Sequence, residues 1–392
     1  MMLSDQFEIK PDCKRVILHV GRDISTGVWS LVMALAVKQN QIAGQMAGIG
    51  LLCSQSYPKA YLDELAGAGI PFMTQAVPFK SWSVAFGMFI LSNPLRGWLK
   101  QLAVKYPDVQ FVVHFHNAWL AGGFFPLPKF KNVSYVSTFH GIAARHKLEQ
   151  KKLLCAYHRF LAQRLVKNNV RLTSVSSEGT IAAETLFHIP RGKFSIIANG
   201  IPQDVELAAK IETADFIVGH VGQMCDGKGW QLAFQAVKQL RKEGVAIRMI
   251  AAGSGPDEQQ AIALAKGNSF FEFRGNVPNA GAVLSPQLDC LVLASWSEGM
   301  PMAIVEAFRA GVPVLASKIG GLPEMICPGM NGEFIERAVD SIVVALRKMI
   351  ADREYYQKLA QGAHSFFEQN YAIEHVVFRY GELYEQNTEE NR

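Results

Sequence analysis

Short apolar runs rich in β-branched residues alternate with helical patterns along the whole chain, and this alternation constrains the fold most. Such runs are typical of strands in a parallel sheet, which βαβ crossovers cover on both faces. In the first half the strand-like runs are Arg15–Val20, Phe111–Phe115, Val133–Thr138, Leu172–Ser176 and Phe194–Ala198, and the helical patterns are Val28–Gln39 and Leu148–Lys167. The first half therefore predicts one α/β domain.

The same alternation starts again after a Gly/Pro turn at 199–202. The second set of strand-like runs is Phe216–Val221, Ile247–Ala252, Phe270–Arg274, Cys290–Ala294 and Val312–Ala316, with helical patterns at Trp230–Lys242, Met302–Ala310 and Ser341–Ile350. A chain of 392 residues also exceeds what one hydrophobic core normally serves. We predict an N-terminal domain over 1–200, a C-terminal domain over 201–370, and a closing helix over 371–392, with packing back on the N-terminal domain as one option.

The composition is that of a globular protein, with 49% hydrophobic and 19% charged residues. The first ten residues have neither a basic start nor an apolar core, and the longest apolar stretch, 84–91, is too short to span a membrane. Six cysteines are scattered without a CxxC pair, which is typical of reduced thiols. These features predict a cytoplasmic protein.

Charge is divided unevenly between the two halves. Residues 1–205 hold 22 Lys and Arg against 11 Asp and Glu, whereas residues 206–392 hold 17 against 23. Solvated surface charge is one interpretation, and an anionic partner for the N-terminal domain is the other. No nucleic-acid-binding motif is present, so nucleic acid is not expected, and anionic lipid or an acidic carbohydrate fits better.

A membrane surface is one such partner. The aromatic segment 81–91 is followed by Arg96, Trp98, Lys100 and Lys105, and aromatics beside basic residues suit a lipid headgroup layer. This interpretation predicts a peripheral protein on the inner face of the membrane. The alternative is a core helix with a solvated basic end.

The most informative segment, residues 295–307, reads S-W-S-E-G-M-P-M-A-I-V-E-A. It follows an expected strand and opens a helix with Pro301 at the first helical position, where the missing N–H of proline costs nothing. Backbone N–H groups at a helix start form an anion site suited to a phosphate, and Gly299 allows a ligand to approach the backbone. Glu298 then lies on the loop and Glu306 in the second helical turn.

This segment resembles the E-x7-E signature of the family-four retaining glycosyltransferases. The resemblance implies a GT-B fold, with two doubly wound Rossmann-like domains facing each other across a cleft. It also implies that Glu298 lies at the transferred sugar as a catalytic residue and that Glu306 holds the nucleotide ribose. The helix-start residues implied at the donor are Gly299, Met300, Pro301 and Met302.

Further motifs of the same family occur in the expected order over residues 199–335. Gly222-Gln223 and Lys228-Gly229 resemble its G-R-x4-K-G, and G-S-G-P at 253–256, G-V-P-V at 311–314 and G-G-L-P-E at 320–324 follow the family pattern. The resemblance places Gln223 and Lys228 at the donor diphosphate, with Gln223 replacing the family arginine and Lys228 left as the cation. Asn276 and Val277 match the place where family members cradle the base.

The N-terminal half resembles the family more weakly. Gly27 ends a loop, 21–27, that resembles the glycine-containing loop facing the donor phosphates, although the family often has paired glycines there. His140, in T-F-H-G at 138–141, resembles the strand-end histidine that reaches the donor sugar, which makes it the second candidate catalytic residue. His114 and His116 are expected in the cleft wall or the core.

The motifs that the chain lacks restrict its chemistry. There is no D-x-D, HExxH, P-loop or G-x-S-x-G sequence, so we expect no metal and no cofactor. The expected substrates are a UDP- or GDP-sugar donor and a glycan or lipid-linked acceptor, as in bacterial polysaccharide or glycolipid assembly. For a retaining enzyme of this resemblance, the departing phosphate is implied to help deprotonate the acceptor hydroxyl.

Three alternatives remain open at the level of sequence. A nucleotide-sugar 2-epimerase has the same fold and donors, and a non-catalytic protein that senses sugar nucleotides has the same binding residues. An NAD-dependent oxidoreductase also has two α/β domains, but neither the segment beginning at Gly21 nor the one beginning at Gly253 completes G-x-G-x-x-G.

Overall fold

A computed structural model describes residues 8–22, 26–53, 59–76, 94–117, 125–140, 152–203, 213–277 and 280–390. The chain divides into two compact units, the first formed by residues 1–199 and 373–392 and the second by residues 200–372. The division falls after Asn199 and after Ala372, within a few residues of the expected boundaries at 200 and 370. The C-terminal helix, Ile373–Glu390, lies in the first unit.

The first unit is built on a seven-stranded parallel sheet in the order β3-β2-β1-β4-β5-β6-β7. Its strands are β1 Arg15–Arg22, β2 Gln45–Cys53, β3 Phe72–Ala76, β4 Gln110–Phe115, β5 Val133–Phe139, β6 Arg171–Ser174 and β7 Phe194–Ile196. Before the C-terminal helix, its helices are α1 Thr26–Asn40, α2 Lys59–Gly67, α3 Pro94–Lys105, α4 Lys152–Lys167 and α5 Ser177–Phe187.

Helices cover both faces of this sheet. Successive side chains along a strand point to opposite faces. Ile17 therefore packs with α1 and the C-terminal helix, whereas its neighbour Leu18 packs with α3, α4 and α5. Burial on both faces explains why the strands read as continuous apolar runs rather than as an alternation of polar and apolar residues.

The second unit is built on a six-stranded parallel sheet in the order β10-β9-β8-β11-β12-β13. Its strands are β8 Phe216–Val221, β9 Ile247–Ala252, β10 Phe271–Phe273, β11 Cys290–Leu293, β12 Val314–Ser317 and β13 Gly332–Ile335. Its helices are α6 Trp230–Lys242, α7 Glu258–Gly267, α8 Ala280–Leu284, α9 Met302–Arg309, α10 Leu322–Met325, α11 Val339–Ala351 and α12 Arg353–Asn370, with 3₁₀ turns at Asp226–Lys228 and Ser285–Gln287.

In both sheets the chain starts at a central strand, adds strands on one side and then returns to the other. The change of direction falls between β1 and β4 in the first unit and between β8 and β11 in the second. Adjacent loops leave the sheet in opposite directions at such a point and open a crevice at the carboxyl ends of the strands, where ligands bind in doubly wound folds. The topology thus singles out the loops after β8 and β11.

Sequence patterns missed three of the strands. β2 contains two glycines and β3 a threonine and a glutamine, while β13 has only four residues. β2 nevertheless pairs with β1 over eight residues, from Arg15 opposite Gln45 to Arg22 opposite Leu52. Pairing with a neighbour distant in sequence overrides a weak local preference, and a single sequence does not show such pairing.

The C-terminal helix packs against α1 through one apolar face. Val376, Tyr380 and Leu383 are buried on that face. Phe378, two residues before Tyr380, is 65% exposed, whereas Tyr380 is 1% exposed. The last helix of the chain therefore completes the core of the first unit.

This packing predicts different effects for two aromatic residues of the same helix. Tyr380→Ala should lower the free energy of unfolding by about 3–5 kcal/mol, because it empties a fully buried site. Phe378→Ala, the matched control, should change it by less than about 0.5 kcal/mol. Denaturant unfolding followed by tryptophan fluorescence measures both, and equal losses in the two variants would mean that the helix does not pack as described.

Candidate functional site

The loops after β8 and β11 meet through an ion pair between Lys228 and Glu298. Lys228 Nζ lies 2.7 Å from Glu298 Oε1 and 2.8 Å from Oε2. Ser295 Oγ also donates a hydrogen bond to Glu298 Oε1, at 2.7 Å. The Glu298 side chain is 6% exposed and that of Lys228 is 27% exposed, so the cation keeps contact with solvent while the carboxylate is enclosed.

Backbone contacts hold these two loops together. The Trp296 N–H donates to the Gly227 carbonyl at 2.9 Å. Gly229 has a φ of +69°, and a Cβ there would lie 2.1 Å from the Ala294 carbonyl oxygen. The side chain of Arg337 reaches the same carbonyl through Nε at 3.0 Å. Only a glycine at 229 allows this approach, which sets Lys228 opposite Glu298.

A second glycine supports the backbone of Glu298 itself. Gly320 follows β12 with a φ of +55°, and a Cβ there would lie 1.9 Å from the Glu298 carbonyl oxygen. The next residue, Gly321, donates its N–H to that same oxygen at 3.3 Å. The G-G-L-P sequence thus serves to hold the Glu298 loop in place.

The helix that follows Glu298 begins one residue later than expected. Pro301 has φ −69° and ψ 121°, which is an extended conformation, so it caps the helix and Met302 is the first helical residue. The expectation of Pro301 at about the first helical position is met to within one residue, because the ψ of Pro301 is not helical. The backbone N–H groups of Met302 and Ala303 have no partner among the described residues, as the first turn of a helix requires. Gly299 is half-buried beside them.

Met300 and Met302 flank this helix start differently. Met300 is buried, at 8% exposure, whereas Met302 is half-buried. The expectation that both lie at the donor stays a prediction.

Glu306 lies in the second turn of α9, as expected, and packs against Gly281 of α8. A Cβ at position 281 would lie 2.0 Å from Glu306 Cδ, so a larger residue there would force the carboxylate to move. Burial raises the pKa of Glu306 to about 7, and the nearby charge of Arg309 acts in the opposite direction. The carboxyl group is therefore partly protonated near neutral pH and can both donate and accept hydrogen bonds.

The remaining residues expected at the donor lie on loops of the same unit. Gln223 is exposed just after β8, and Asn276 is exposed after β10, with Val277 half-buried next to it. Gly253 approaches the β8 loop so closely that a Cβ there would lie 1.7 Å from the Gly222 carbonyl oxygen. The structure thus brings Lys228 into direct contact with Glu298 and places Gln223 on the same loop, while the contact of Asn276 and Val277 with a base stays a prediction.

The two residues expected from the N-terminal half lie in the first unit. Gly27 is the second residue of α1 rather than part of a loop, because the helix begins at Thr26. His140 directly follows β5, as expected, and its Nε2 lies 3.1 Å from His116 Nδ1. Burial lowers the pKa of His140 to about 4, with a hydrogen bond to the Asn199 side chain acting in the opposite direction, so its imidazole is neutral at physiological pH.

Three residues of the second-unit site were not expected from the sequence. Ser295 contacts Glu298 and Gly281 contacts Glu306, and only the folded structure shows these contacts. The sequence did show that Ser295 lies three residues before Glu298. His220, on β8, is fully buried, and burial lowers its pKa to about 4. Nothing in the sequence distinguished this histidine from its apolar neighbours.

The family model described as Glycosyl transferases group 1 matches residues 206–366, which lie within the second unit. Glycogen synthase of Mycobacterium tuberculosis (strain H37Rv) is 27% identical over 291 residues, covering 72% of this chain and 70% of the relative. 2-Deoxystreptamine glucosyltransferase of Streptomyces kanamyceticus is 33% identical over 156 residues, covering 36% of this chain and 40% of the relative.

Solved structures show the same fold over nearly the whole chain. HepE of Anabaena, in complex with UDP, superposes with a TM-score of 0.72 at 16% identity, covering 95% of this chain and 100% of that structure. Sucrose-phosphate synthase of Thermosynechococcus elongatus superposes with a TM-score of 0.71 at 16% identity, covering 95% and 98%. The fold is GT-B, as expected.

Residues 206–366 of the second unit thus match the glycosyl transferases group 1 family model, and the protein is a glycosyltransferase that uses a nucleotide-sugar donor. The resemblance read from the E-x7-E segment is confirmed. The expected bacterial polysaccharide type is supported as well, since the relatives include a lipopolysaccharide 1,2-N-acetylglucosaminetransferase of Salmonella typhimurium, 28% identical over 218 residues, 50% of this chain and 57% of the relative.

The raised pKa of Glu306 predicts a pH-dependent stability. The folded protein favours the protonated form, so wild type loses stability as the pH rises from about 4.5 through about 7. Glu306→Gln should therefore unfold at a higher temperature than wild type near pH 8, and the difference should vanish near pH 4.5. Thermal unfolding across this range measures the effect, with the exposed Glu354→Gln as the control; the same pH-dependent gain in both variants would contradict the assignment to Glu306.

Proposed function

We propose that the protein is a retaining glycosyltransferase that moves a sugar from a nucleotide-sugar donor to a hydroxyl of a glycan or lipid-linked acceptor without a metal ion. The ion pair between Lys228 and Glu298, at the carboxyl ends of β8 and β11, is the observation that carries this proposal. It joins the cation and one carboxylate that the family resemblance assigns to the donor.

Lys228 is the group that we propose to bind the diphosphate. Without ligand its charge is neutralised by Glu298, and its partly exposed Nζ can exchange that carboxylate for phosphate oxygens. The unpartnered N–H groups of Met302 and Ala303, at the positive end of α9, add to the stabilisation of the anion. Released from Lys228, Glu298 becomes available to the sugar, the role that the resemblance implies.

Glu306 is proposed to hold the ribose. A carboxyl group with a pKa of about 7 accepts a hydrogen bond from one ribose hydroxyl and, when protonated, donates one to another. The absence of a side chain at Gly281 leaves space for this carboxyl group. UDP as the nucleotide is supported by HepE of Anabaena, whose structures were solved with UDP and with UDP-glucose; a GDP-sugar is the other possibility.

The reaction needs no metal if the protein supplies the positive charge. As the bond between the sugar C1 and the β-phosphate oxygen breaks, negative charge develops on the phosphate, and Lys228 together with the N-terminus of α9 stabilises it. A new bond forms between C1 and the acceptor oxygen, and the acceptor proton passes to the departing phosphate. Products are the glycosylated acceptor, with its anomeric configuration retained, and the nucleoside diphosphate.

The experiment combines a panel of UDP- and GDP-sugars with glycan and lipid-linked acceptors and measures release of nucleoside diphosphate. We expect release only when a matching donor and acceptor are both present, undiminished by excess EDTA. NMR of the product should show the anomeric configuration of the donor. Activity lost in EDTA and restored by Mn²⁺ or Mg²⁺ would contradict metal independence, an inverted product would contradict retention, and conversion of the donor without acceptor would favour an epimerase.

An anionic membrane surface is proposed as the place where a lipid-linked acceptor is met. The excess of positive charge in residues 1–205 supports this proposal. Lys100 and Lys105 are exposed on α3. The aromatic segment 81–91 lies outside the described residues. Trp98 of α3 is half-buried and packs against the core of the first unit. No described helix is long and apolar enough to cross a membrane.

Membrane binding through charge predicts a salt-sensitive association. The protein should sediment with anionic vesicles at low salt and be released as salt rises. Replacing Arg96, Lys100 and Lys105 together by glutamine should weaken vesicle binding by about ten- to a hundredfold, since each basic residue near the surface contributes up to about 1 kcal/mol. The control replaces Lys266, Arg353 and Lys358 of the second unit by glutamine, with the same change in charge; equal weakening, or no sedimentation of wild type, would favour a soluble acceptor.

A further inference from the structure

An exposed tryptophan lies on the loop that carries Glu298. Trp296 follows β11 by three residues and is 65% exposed, although tryptophan is on average a highly buried residue. Glu298 comes two residues later, so the Cα atoms of Trp296 and Glu298 are at most about 7 Å apart. A large apolar side chain that the fold leaves in solvent next to a functional residue is suited to contact a ligand.

Arg337 covers one face of the Trp296 ring. The guanidinium carbon Cζ of Arg337 lies 4.2 Å from the ring centroid, within the range of a cation–π contact. The side chain of Arg337 is only 16% exposed, because the indole lies over it. Since Trp296 is nevertheless 65% exposed, the opposite face of the indole is open to solvent.

Arg337 is itself fixed by hydrogen bonds to two loops. Its Nε donates to the Ala294 carbonyl at 3.0 Å. Its Nη2 donates to the backbone carbonyl of Asp226 and, at 3.1 Å, to Asp226 Oδ1. The Trp296 N–H donates to the Gly227 carbonyl at 2.9 Å. The ring and its support are therefore in place before a ligand arrives, which reduces the conformational entropy lost on binding.

Asp226 adds a hydrogen-bond acceptor beside the ring. Because Arg337 contacts both residues, the Asp226 carboxylate lies close to the Trp296 indole. The Asp226 side chain is 79% exposed, and its Oδ2 has no hydrogen-bond partner among the residues that the structure describes. An ionised carboxylate accepts hydrogen bonds and donates none, so Oδ2 is suited to the hydroxyl groups of a ligand.

An indole face beside a carboxylate suits a saccharide ring. A pyranose presents C–H groups on its face and hydroxyl groups around its edge. The negative face of the indole attracts the weakly positive C–H hydrogens, while an edge hydroxyl donates to Asp226. A sugar acid would bring a second carboxylate next to Asp226, and like charges repel. The pair therefore favours a neutral sugar.

A nucleobase and a protein partner fit this surface less well. The base is expected at Asn276 and Val277 after β10, which lies three strand positions from β11, or about 14 Å at the usual strand spacing. A protein partner would need a wider apolar patch. The residues next to Trp296 and Arg337 in sequence, Ser297 and Glu336, are instead polar and exposed.

We propose that Trp296 and Asp226 form a subsite for a neutral pyranose ring of the saccharide acceptor, and that Arg337 orients both residues. That the bound ring belongs to the acceptor rests on the proposed function. Binding of a saccharide at the subsite does not, because it requires no transfer.

The first test measures saccharide binding without turnover. Maltose, lactose and mannobiose, three neutral disaccharides, are titrated into protein labelled with ¹⁵N-tryptophan. The chain holds six tryptophans, and the indole signal that is lost in Trp296→Tyr assigns Trp296. We expect this signal to shift with at least one disaccharide, whose ring protons should move upfield over the indole. Trp296→Ala should weaken the affinity at least about tenfold, and Trp296→Tyr only about threefold.

Two matched controls separate the subsite from a general effect of substitution. Phe378→Ala removes an aromatic side chain that is also 65% exposed but lies in the first unit, and it should leave the affinity for the disaccharide unchanged. Asp226→Ala should weaken binding roughly three- to tenfold through the loss of one hydrogen bond. Asp215→Ala should not, although Asp215 also pairs with an arginine, Arg241, at 2.9 Å.

Three results of this titration would overturn the proposal. They are no shift of the Trp296 signal with any of the three disaccharides, unchanged affinity in Trp296→Ala, and equal weakening in Phe378→Ala. Calorimetric titration with UDP distinguishes the nucleobase, because Trp296→Ala should leave the affinity for UDP unchanged. A loss of UDP affinity with unchanged disaccharide binding would assign the ring to the base instead.

The second test uses turnover once a donor and acceptor pair is known. Trp296→Ala should raise the KM for the acceptor roughly three- to tenfold, with kcat and the KM for the donor unchanged, and Trp296→Phe should recover most of the loss. A lower kcat with an unchanged acceptor KM would contradict the proposal. Disaccharide binding that depends on Trp296 in a protein without transfer activity would contradict the proposed function and leave the subsite standing.

Discussion

The contact between Lys228 and Glu298 depends on where the strand order of the second sheet reverses. The chain leaves β8 toward one side and β11 toward the other, so their loops meet beyond the carboxyl ends of adjacent strands. Glycine at 229 lets the first loop touch the backbone of the second, and Gly320 lets a third loop support Glu298. Two opposite charges far apart in sequence therefore come within hydrogen-bond distance.

The proposed function gives the second-unit site two electrostatic states. Without ligand the pair is neutral, and Ser295 and Lys228 together satisfy the enclosed Glu298 carboxylate. We propose that a bound diphosphate replaces this carboxylate at the partly exposed Lys228. Glu306, with its pKa held near 7 by burial, adds a carboxyl group that carries less than a full negative charge next to an anionic ligand, which lowers repulsion at neutral pH.

Many of the candidate residues could be named from the sequence because they cluster in short ordered motifs. The spacing of Glu298 and Glu306 on a strand-loop-helix unit indicated both carboxylates, and Lys228 followed from its place after β8. The ion pair between Lys228 and Glu298 was not expected, since it joins two loops 70 residues apart. The contact of Gly281 with Glu306 was not expected either, because the two residues lie on different helices.

The first unit was harder to predict from sequence. His140 was found at a strand end, but its connection to Gln39 runs through His19 of β1 and through His116, which directly follows β4. The C-terminal helix reaches the same network through Tyr384, which contacts His114. In the sequence, each of these histidines is an isolated polar residue within an apolar run. Their alignment appears only when β1 and β4 pair in register, with His19 opposite His114.

Calorimetric titration with the nucleoside diphosphate tests the central claim, that a diphosphate takes the place of Glu298 beside Lys228. Lys228→Met should weaken binding at least about tenfold, through the loss of charge-assisted hydrogen bonds. Glu298→Gln should leave the affinity unchanged or raise it up to about fivefold, because it removes a competing anion while an amide oxygen still accepts from Lys228. Unchanged binding in Lys228→Met, or equal weakening in both variants, would contradict the account.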